Sequence, residues 1–246
     1  MDERAGIPRF YVPDLPAADG LDVTLPPGES HHAAHVLRLR AGAAVELFDG
    51  RGTRATGRVA EVRRRGVRVT VEAIHAAEAR RGPVVHLAFA TPKGSRLDWL
   101  LEKATELGAA SLQQVIFERS VAGTARPTQT GRERLLGHCV AAAKQAGTDF
   151  LPDLADPVPL ADLLARPWEG VRLVGDLGEA ALPLADALGG RPRQVLILVG
   201  PEGGLTDAER ERVLAAGFVP VRIGRTTLRI ETAALALLAA VMALGA

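Results

Sequence analysis

The chain has 246 residues and a mass of 25.9 kDa, a size that predicts one large domain or two modest ones. Hydrophobic residues make up 47% of it and charged residues 24%, which argues against extensive disorder and against fibrous structures. The formal net charge is +1, so any site for a polyanion must be local rather than a property of the whole surface.

Cysteine content and hydropathy indicate the compartment. The single cysteine, Cys139, excludes an intramolecular disulfide and a zinc site built from several cysteines, and it favours a reducing environment. The N-terminal residues include acidic side chains and no apolar stretch of the kind that a secretory signal needs. The longest apolar run, 233–244, is shorter than the roughly 20 residues that span a bilayer. We therefore expect a cytoplasmic protein without a membrane partner.

Short extended segments separated by turns occupy the chain up to about residue 75. They lie at 23–25, 44–48, 56–59 and 67–71, and residues 48–52 predict a hairpin turn. This pattern predicts a small β-barrel or sandwich. The polar stretch 76–83 ends in Gly-Pro and predicts a linker. We therefore expect one domain at 1–76 and a second at 82–246.

Beyond residue 80, strand-like and helix-like patterns alternate. Strands are predicted at 84–90, 112–117, 171–175, 195–199 and 218–223, and helices at 95–107, 132–146, 206–216 and from about 231. Ser95 with Asp98, and Thr206 with Glu209, have the spacing of a capping box, and Gly108 ends the first of these helices. Continuous apolar strands are typical of a parallel sheet covered on both faces, so the second domain is predicted to be α/β.

Two loops after predicted strands carry the features of a ligand site. Residues 200–204 read GPEGG, whose glycines let the main chain approach a ligand closely, and residues 223–233 place Arg225, Arg229 and Glu231 before the last helix. Turn geometry, helix capping and solvated loop charge are the alternative explanations. The absence of Gly-x-Gly-x-x-Gly and of a Walker motif weakens a third reading, a Rossmann-type dehydrogenase.

Histidines and arginines are concentrated in the first domain. His31 and His35 are spaced as in some metal sites, but no carboxylate or cysteine follows at a suitable distance, so no metal is expected. The arginines form a local basic feature opposed only by Glu61, which predicts phosphate contacts, a solvated strand face being the alternative. These arginines are Arg38, Arg40, Arg51, Arg54, Arg58, Arg63, Arg64, Arg65 and Arg68.

Taken together with KGSRLDWLLEKATELG at 93–108, these segments resemble a known family. It is the RsmE-type 16S rRNA methyltransferases of the SPOUT superfamily, which methylate N3 of a uridine. The resemblance runs nearly from end to end of the chain. It includes RFY at 9–11, HHAAHVLR at 31–38, FDG at 48–50, ERS at 118–120, GPEGG at 200–204 and LRIETA at 228–233.

The resemblance implies both architecture and ligands. The implied fold is a PUA-like β-barrel followed by a SPOUT-type α/β domain with a parallel sheet and a deep trefoil knot. S-adenosylmethionine would be the methyl donor, and a homodimer would act on 16S rRNA or the small ribosomal subunit. The last helix would meet the sheet with one face and the second subunit with another, burial within one monomer being the alternative. The implied cofactor-binding residues are Leu173, Gly175, Gly200, Glu202, Gly203, Gly204, Ile223, Gly224, Leu228, Arg229 and Thr232.

Uridine N3 carries a proton at neutral pH, so the implied reaction needs that proton removed or the uridine anion stabilised. Arg229 is the candidate for stabilising the anion. Candidate proton acceptors are Glu231, Glu202 and Glu118. RNA contacts are expected from Arg9, Arg38, Arg63, Arg64 and Lys93. The competing hypothesis is a ribosome-associated RNA-binding protein without catalysis, which the GPEGG and LRIETA motifs disfavour.

Overall fold

A computed structural model describes residues 6–75, 82–120 and 126–245. The chain divides into two compact units, one formed by Met1–Ala79 with Ala143–Leu151 and the other by Arg80–Ala142 with Pro152–Ala246. The linker predicted at 76–83 falls largely on residues 76–81, outside the described residues.

The first unit is built on a five-stranded sheet. In chain order its strands are β1 (Arg9–Tyr11), β2 (Asp22–Thr24), β3 (Ala44–Phe48), β4 (Arg54–Arg63) and β5 (Gly66–His75). They pair in the order β1-β3-β4-β5-β2, with β1 parallel to β3 and the other pairs antiparallel. Helix α1 (Pro27–His31) lies between β2 and β3 and continues into one π-helical segment at His32–Val36.

Alternation along the strands explains this sheet. In β5, Val67, Val69 and Val71 are fully buried while the residues between them lie on the other face, as expected when one face of a sheet covers a core. The close pairing of β4 with β5 requires Gly57, because a Cβ there would lie 2.4 Å from the carbonyl oxygen of Thr70. The hairpin predicted at 48–52 is confirmed by the pairing of β3 with β4.

A seven-stranded sheet with helices forms the second unit. Its elements are β6 (Val84–Ala90), α2 (Arg96–Glu106), β7 (Ser111–Ile116), α3 (Gln129–Ala146), β8 (Asp153–Pro159), α4 (Leu160–Leu164), β9 (Val171–Gly175), β10 (Leu182–Pro183), α5 (Leu184–Leu188), β11 (Gln194–Val199), α6 (Asp207–Ala215), β12 (Val219–Arg222) and α7 (Ile230–Gly245). The end of α3, from Ala143, belongs to the first unit. The strands pair in the order β10-β12-β9-β11-β6-β7-β8, and every neighbouring pair is parallel. The predicted α/β fold with a parallel sheet is confirmed, whereas the trefoil knot stays a prediction.

The helix termini were predicted with mixed success. The capping box at Thr206 and Glu209 is present, and Gly108 follows α2 with a φ of +83°. The capping box expected at Ser95 is wrong, because Ser95 makes no side-chain cap and the Asp98 carboxylate accepts hydrogen bonds from Arg134 on α3 at 2.7 and 2.8 Å instead.

Packing around α7 is extensive within a single chain. The helix contacts α2, α5, β6 and β11, and Ala234, Leu237, Leu238 and Val241 are almost completely buried.

On α3, burial raises the pKa of the Cys139 thiol to about 11. No helix in the described parts of the chain is both long and apolar enough to cross a membrane.

Candidate active site

The carboxyl ends of three neighbouring strands, β12, β9 and β11, border a cavity of about 390 Å³, called here the first cavity. This volume lies within the range of roughly 300–1,000 Å³ that is typical of small-molecule sites. Its walls come from the loops that follow the three strands, where ligands of open parallel sheets usually bind. Side chains from α6 and α7 complete the lining.

The loop after β11 forms a tight turn beside this cavity. Gly204 N–H donates to the carbonyl of Pro201 at 2.8 Å, and Gly204 has a φ of +69°, a conformation that side chains disfavour. Gly200 is close to Leu205, since a Cβ on Gly200 would lie 3.2 Å from Leu205 Cδ2. Glycines therefore allow both the tight turn and the close approach of the chain.

An ion pair forms one side of the first cavity. The Asp176 carboxylate follows β9, pairs with Arg210 on α6, and accepts hydrogen bonds from the main-chain N–H groups of Leu177 at 2.7 Å and Gly178 at 3.1 Å. Burial opposes ionisation of Asp176, but the Arg210 hydrogen bond and the backbone donors outweigh it, so the pKa of Asp176 is lowered from its ordinary value. The pair is charged at neutral pH.

Two carboxylates meet one guanidinium near the start of α7. Arg96 Nη1 on α2 lies 3.2 Å from Glu202 Oε1 and 3.7 Å from Glu231 Oε1. Glu231 is only 4% exposed, and its Oε2 is buried without a hydrogen-bond partner in the described part of the chain. Sequence reasoning did not select Arg96, although it lies in the segment 93–108 that carried the family resemblance.

Most of the predicted cofactor-binding residues line the first cavity. Those that do are Gly175, Gly200, Glu202, Gly204, Ile223, Gly224, Leu228 and Arg229. The other three do not line it. Leu173 is completely buried inside β9, Gly203 lines a neighbouring cavity, and Thr232 is exposed on the first turn of α7, where Ile230 and Ala233 provide the lining instead.

The structure brings three of the four candidate catalytic residues to the region of the first cavity and sets Glu118 apart. Arg229 and Glu202 line the first cavity, whereas Glu231 is not part of the lining and is buried near Arg96. Glu118 is exposed and pairs with Arg212 at 3.1 Å, so its carboxylate is engaged away from the cavity lining.

The residues predicted to bind RNA differ in whether an acidic side chain pairs with their charge. Arg9 is largely buried in the first unit, where it pairs with Glu46 at 3.3 Å and with Asp149 and stacks on Phe48. Arg63 pairs with Glu61, whereas Arg38, with a φ of +53°, and Arg64 are exposed, as is Lys93 in the second unit. Their roles stay predictions.

The statement that only Glu61 opposes the arginines is wrong. Pairing of β4 with β5 places Glu72 beside Arg58 at 2.9 Å, and pairing of β2 with β5 places Asp22 beside Arg68 at 3.3 Å. These partners are distant in sequence and meet only across the sheet.

The two histidines that are spaced as in some metal sites belong to the same unit. The rings of His31 and His35 lie 4.8 Å apart, and among the described residues no group of three or more potential ligands could hold a metal ion.

Comparison with known proteins gives consistent matches along the chain. Residues 80–242 match the family described as RNA methyltransferase domain, and residues 25–72 match the RNA methyltransferase PUA domain. Proteins named ribosomal RNA small subunit methyltransferase E are 32% identical in Mycobacterium bovis, over 94% of this chain and 90% of the relative, and 31% identical in Synechocystis, over 90% and 73%. The crystal structure of the Neisseria gonorrhoeae protein of that name, bound to S-adenosylmethionine, superposes with a TM-score of 0.85 at 29% identity, covering 97% of this chain and 98% of the other.

Proposed function

The chain belongs to the ribosomal RNA small subunit methyltransferase E family, and from this we propose that it transfers a methyl group from S-adenosylmethionine to N3 of a uridine in 16S rRNA. The observation that carries this proposal is the first cavity, in which the GPEGG and LRIETA loops come together at the carboxyl edge of the sheet. The protein is accordingly an S-adenosylmethionine-dependent rRNA methyltransferase, and cytoplasmic 16S rRNA or the small subunit is its proposed partner.

The residues of the first cavity fit this methyl donor. Its walls combine glycine main chain with apolar side chains such as Leu205, Leu228 and Leu237, which suits an adenine ring and a short aliphatic chain. Three arginines line the cavity: Arg210 is paired with Asp176, Arg222 donates to the carbonyl of Ala181, and Arg229 makes no ion pair among the described residues. When bound, S-adenosylmethionine supplies a methyl group activated by its positively charged sulfur.

The chain's own residues must then prepare the uridine. The guanidinium of Arg229 lines the cavity and stabilises negative charge on the uridine ring oxygens as the N3 proton leaves. Glu202 also lines the cavity and is the carboxylate best placed to take that proton, with Arg96 holding its orientation. Glu231 places a second, buried carboxylate near the same Arg96 nitrogen.

A homodimer is also part of the proposal. Four large apolar side chains around the first cavity are between 39% and 47% exposed, namely Leu177, Leu214, Ile223 and Leu228. Exposed apolar side chains grouped around a cavity favour coverage by a ligand or by a second subunit. Alanines on the partly exposed face of α7 would allow another helix to approach closely.

The test is methyl transfer by the purified protein to 16S rRNA or small subunits, with mass mapping of the modified nucleotide. We expect 3-methyluridine at one position, and sedimentation of the protein at twice 25.9 kDa. Arg229→Ala should lower kcat by about 100-fold, the effect of removing one donor that stabilises a developing anion. Arg225→Ala, on the same loop but outside the cavity lining, is the matched control.

The competing function is RNA binding without catalysis. It would be supported if calorimetric titration with S-adenosylmethionine gave no heat while 16S rRNA still bound. Methylation of a ribose oxygen or of another base would instead contradict the assignment to uridine N3.

A further inference from the structure

A second cavity, of about 210 Å³, lies beside the first on the same edge of the sheet. It is bordered by the loops that follow β6, β7 and β11, which are adjacent strands. Its lining residues are Ala90, Thr91, Lys93, Arg119, Ser120, Pro201, Glu202, Gly203 and Ile230. Pro201, Glu202 and Ile230 line both cavities, so the two cavities adjoin at these three residues.

The chemistry of this second cavity differs from that of the first. Ala90, Pro201 and Ile230 provide apolar surface, and the cationic side chains of Lys93 and Arg119 are both exposed. Lys93 makes no ion pair within the described residues. Small apolar walls next to unneutralised positive charge suit a flat nucleobase that is attached to a phosphate.

Three contacts hold the two loops around the second cavity together. The Glu209 carboxylate, which is 1% exposed, accepts hydrogen bonds from the N–H groups of Glu118 at 2.8 Å and Thr206 at 2.9 Å. Arg119 Nη1 donates to the carbonyl of Gly203 at 2.8 Å. Glu118 and Arg119, in the described part of the loop after β7, are thereby bound to the loop after β11 and to the start of α6.

We propose that the second cavity receives the target nucleotide, turned out of the RNA, with Lys93 contacting its phosphate. This inference rests on the proposed function and assigns the acceptor to a site of its own. The donor and acceptor cavities then adjoin at Pro201, Glu202 and Ile230, as direct transfer of the methyl group to N3 requires, and Glu202 lines both. A volume of about 210 Å³, against about 390 Å³ for the first cavity, suits one base rather than a second cofactor.

Two substitutions in the second cavity test the proposal. For each variant, the KM for RNA and the affinity for S-adenosylmethionine are measured separately. Lys93→Ala removes the phosphate contact, and Gly203→Val adds bulk to the second cavity, where a Cβ on Gly203 would lie 3.6 Å from the nearest atom of Arg119. For Lys93→Ala we expect the KM for 16S rRNA to rise about fivefold, as for the loss of one phosphate contact, and for Gly203→Val at least about tenfold. The affinity for S-adenosylmethionine, measured by calorimetry, should stay within about twofold.

The control is Arg191→Ala, which removes an exposed cation before β11, at the opposite edge of the sheet. It should leave the KM for RNA unchanged. Loss of donor affinity in Gly203→Val with an unchanged KM for RNA would overturn the proposal, because the cavity would then belong to the donor. An unchanged KM in both variants would overturn it as well. Failure of the proposed function would look different, since the wild-type protein and the Arg191→Ala control would then transfer no methyl group.

Discussion

At the scale of single residues, the pair formed by Asp176 and Arg210 makes the first cavity sensitive to acid. The pKa of Asp176 is lowered in the folded protein, so its contribution to stability is fully present above the ordinary aspartate pKa of about 3.9 and is lost as the pH falls through the lower native value. Asp176→Asn should therefore reduce the free energy of unfolding by about 1 kcal/mol near pH 7.

The measurement is chemical denaturation of both proteins from pH 7 down to pH 3. The difference in unfolding free energy between wild type and Asp176→Asn should be constant above about pH 5 and shrink below about pH 4. A difference that grew with acidity would mean that the carboxyl group is stabilised in its protonated form, contrary to the geometry of its donors.

Some residues of the site could be predicted from short motifs, and others could not because their partners are distant in sequence. Gly200, Gly204 and Gly224 follow apolar strands within short motifs, so the sequence places them beside a ligand. Arg96 and Arg119 were not assigned to the site, because their partners lie far away along the chain. Arg96 meets Glu202 across 106 residues, and Arg119 meets Gly203 across 84. Pairing over such distances follows from the strand order, which periodicity does not specify.

At the scale of secondary structure, the sequence predicts strands inside the sheet better than strands at its edges. β9 and β11 are apolar strands inside the sheet and were predicted almost to the residue. β8 and β10 were missed because they lie at the two edges of the sheet and contain prolines, which an edge strand tolerates.

Two glycines at different kinds of position give a test of the loop after β11. Gly204 has a φ of +69°, and no atom lies within 4 Å of an added Cβ. Gly204→Ala should therefore lower the free energy of unfolding by about 1–2 kcal/mol, because the left-handed backbone conformation disfavours a side chain. Gly137 is exposed within α3 and has equally free space, so Gly137→Ala should stabilise the protein by about 0.5–1 kcal/mol. Chemical denaturation compares them, and equal effects of the two substitutions would show that the turn is not held in the left-handed conformation.

At the scale of the whole molecule, the position of the two cavities follows from the order of the strands. All pairs in the second sheet are parallel, so every carboxyl end lies on one edge. The order β12-β9-β11-β6-β7 then places the loop after β11 between the donor cavity and the proposed acceptor cavity. One loop can thus serve both substrates because its strand is central, which explains why GPEGG is the most informative motif in the sequence.

The net charge is also a property of the whole molecule. A net charge of +1 gives no general attraction for RNA, so we expect binding to depend on the arginines and lysines that lack acidic partners. Arg64, in the turn between β4 and β5, makes no ion pair within the described ranges, whereas Arg58 on the same hairpin is paired with Glu72 at 2.9 Å.

The salt dependence of RNA binding distinguishes these two kinds of arginine. Each phosphate contact that is lost should reduce the slope of log K against log salt concentration by about 0.7–0.9. Arg64→Ala should therefore weaken binding to 16S rRNA and lower the slope by this amount, while Arg58→Ala should change it less, because Glu72 already neutralises that charge. Filter binding or fluorescence anisotropy between about 50 and 200 mM salt gives both slopes. Equal slopes for the two variants would mean that RNA displaces Glu72 from Arg58, and that the hairpin binds phosphate through its paired arginines as well.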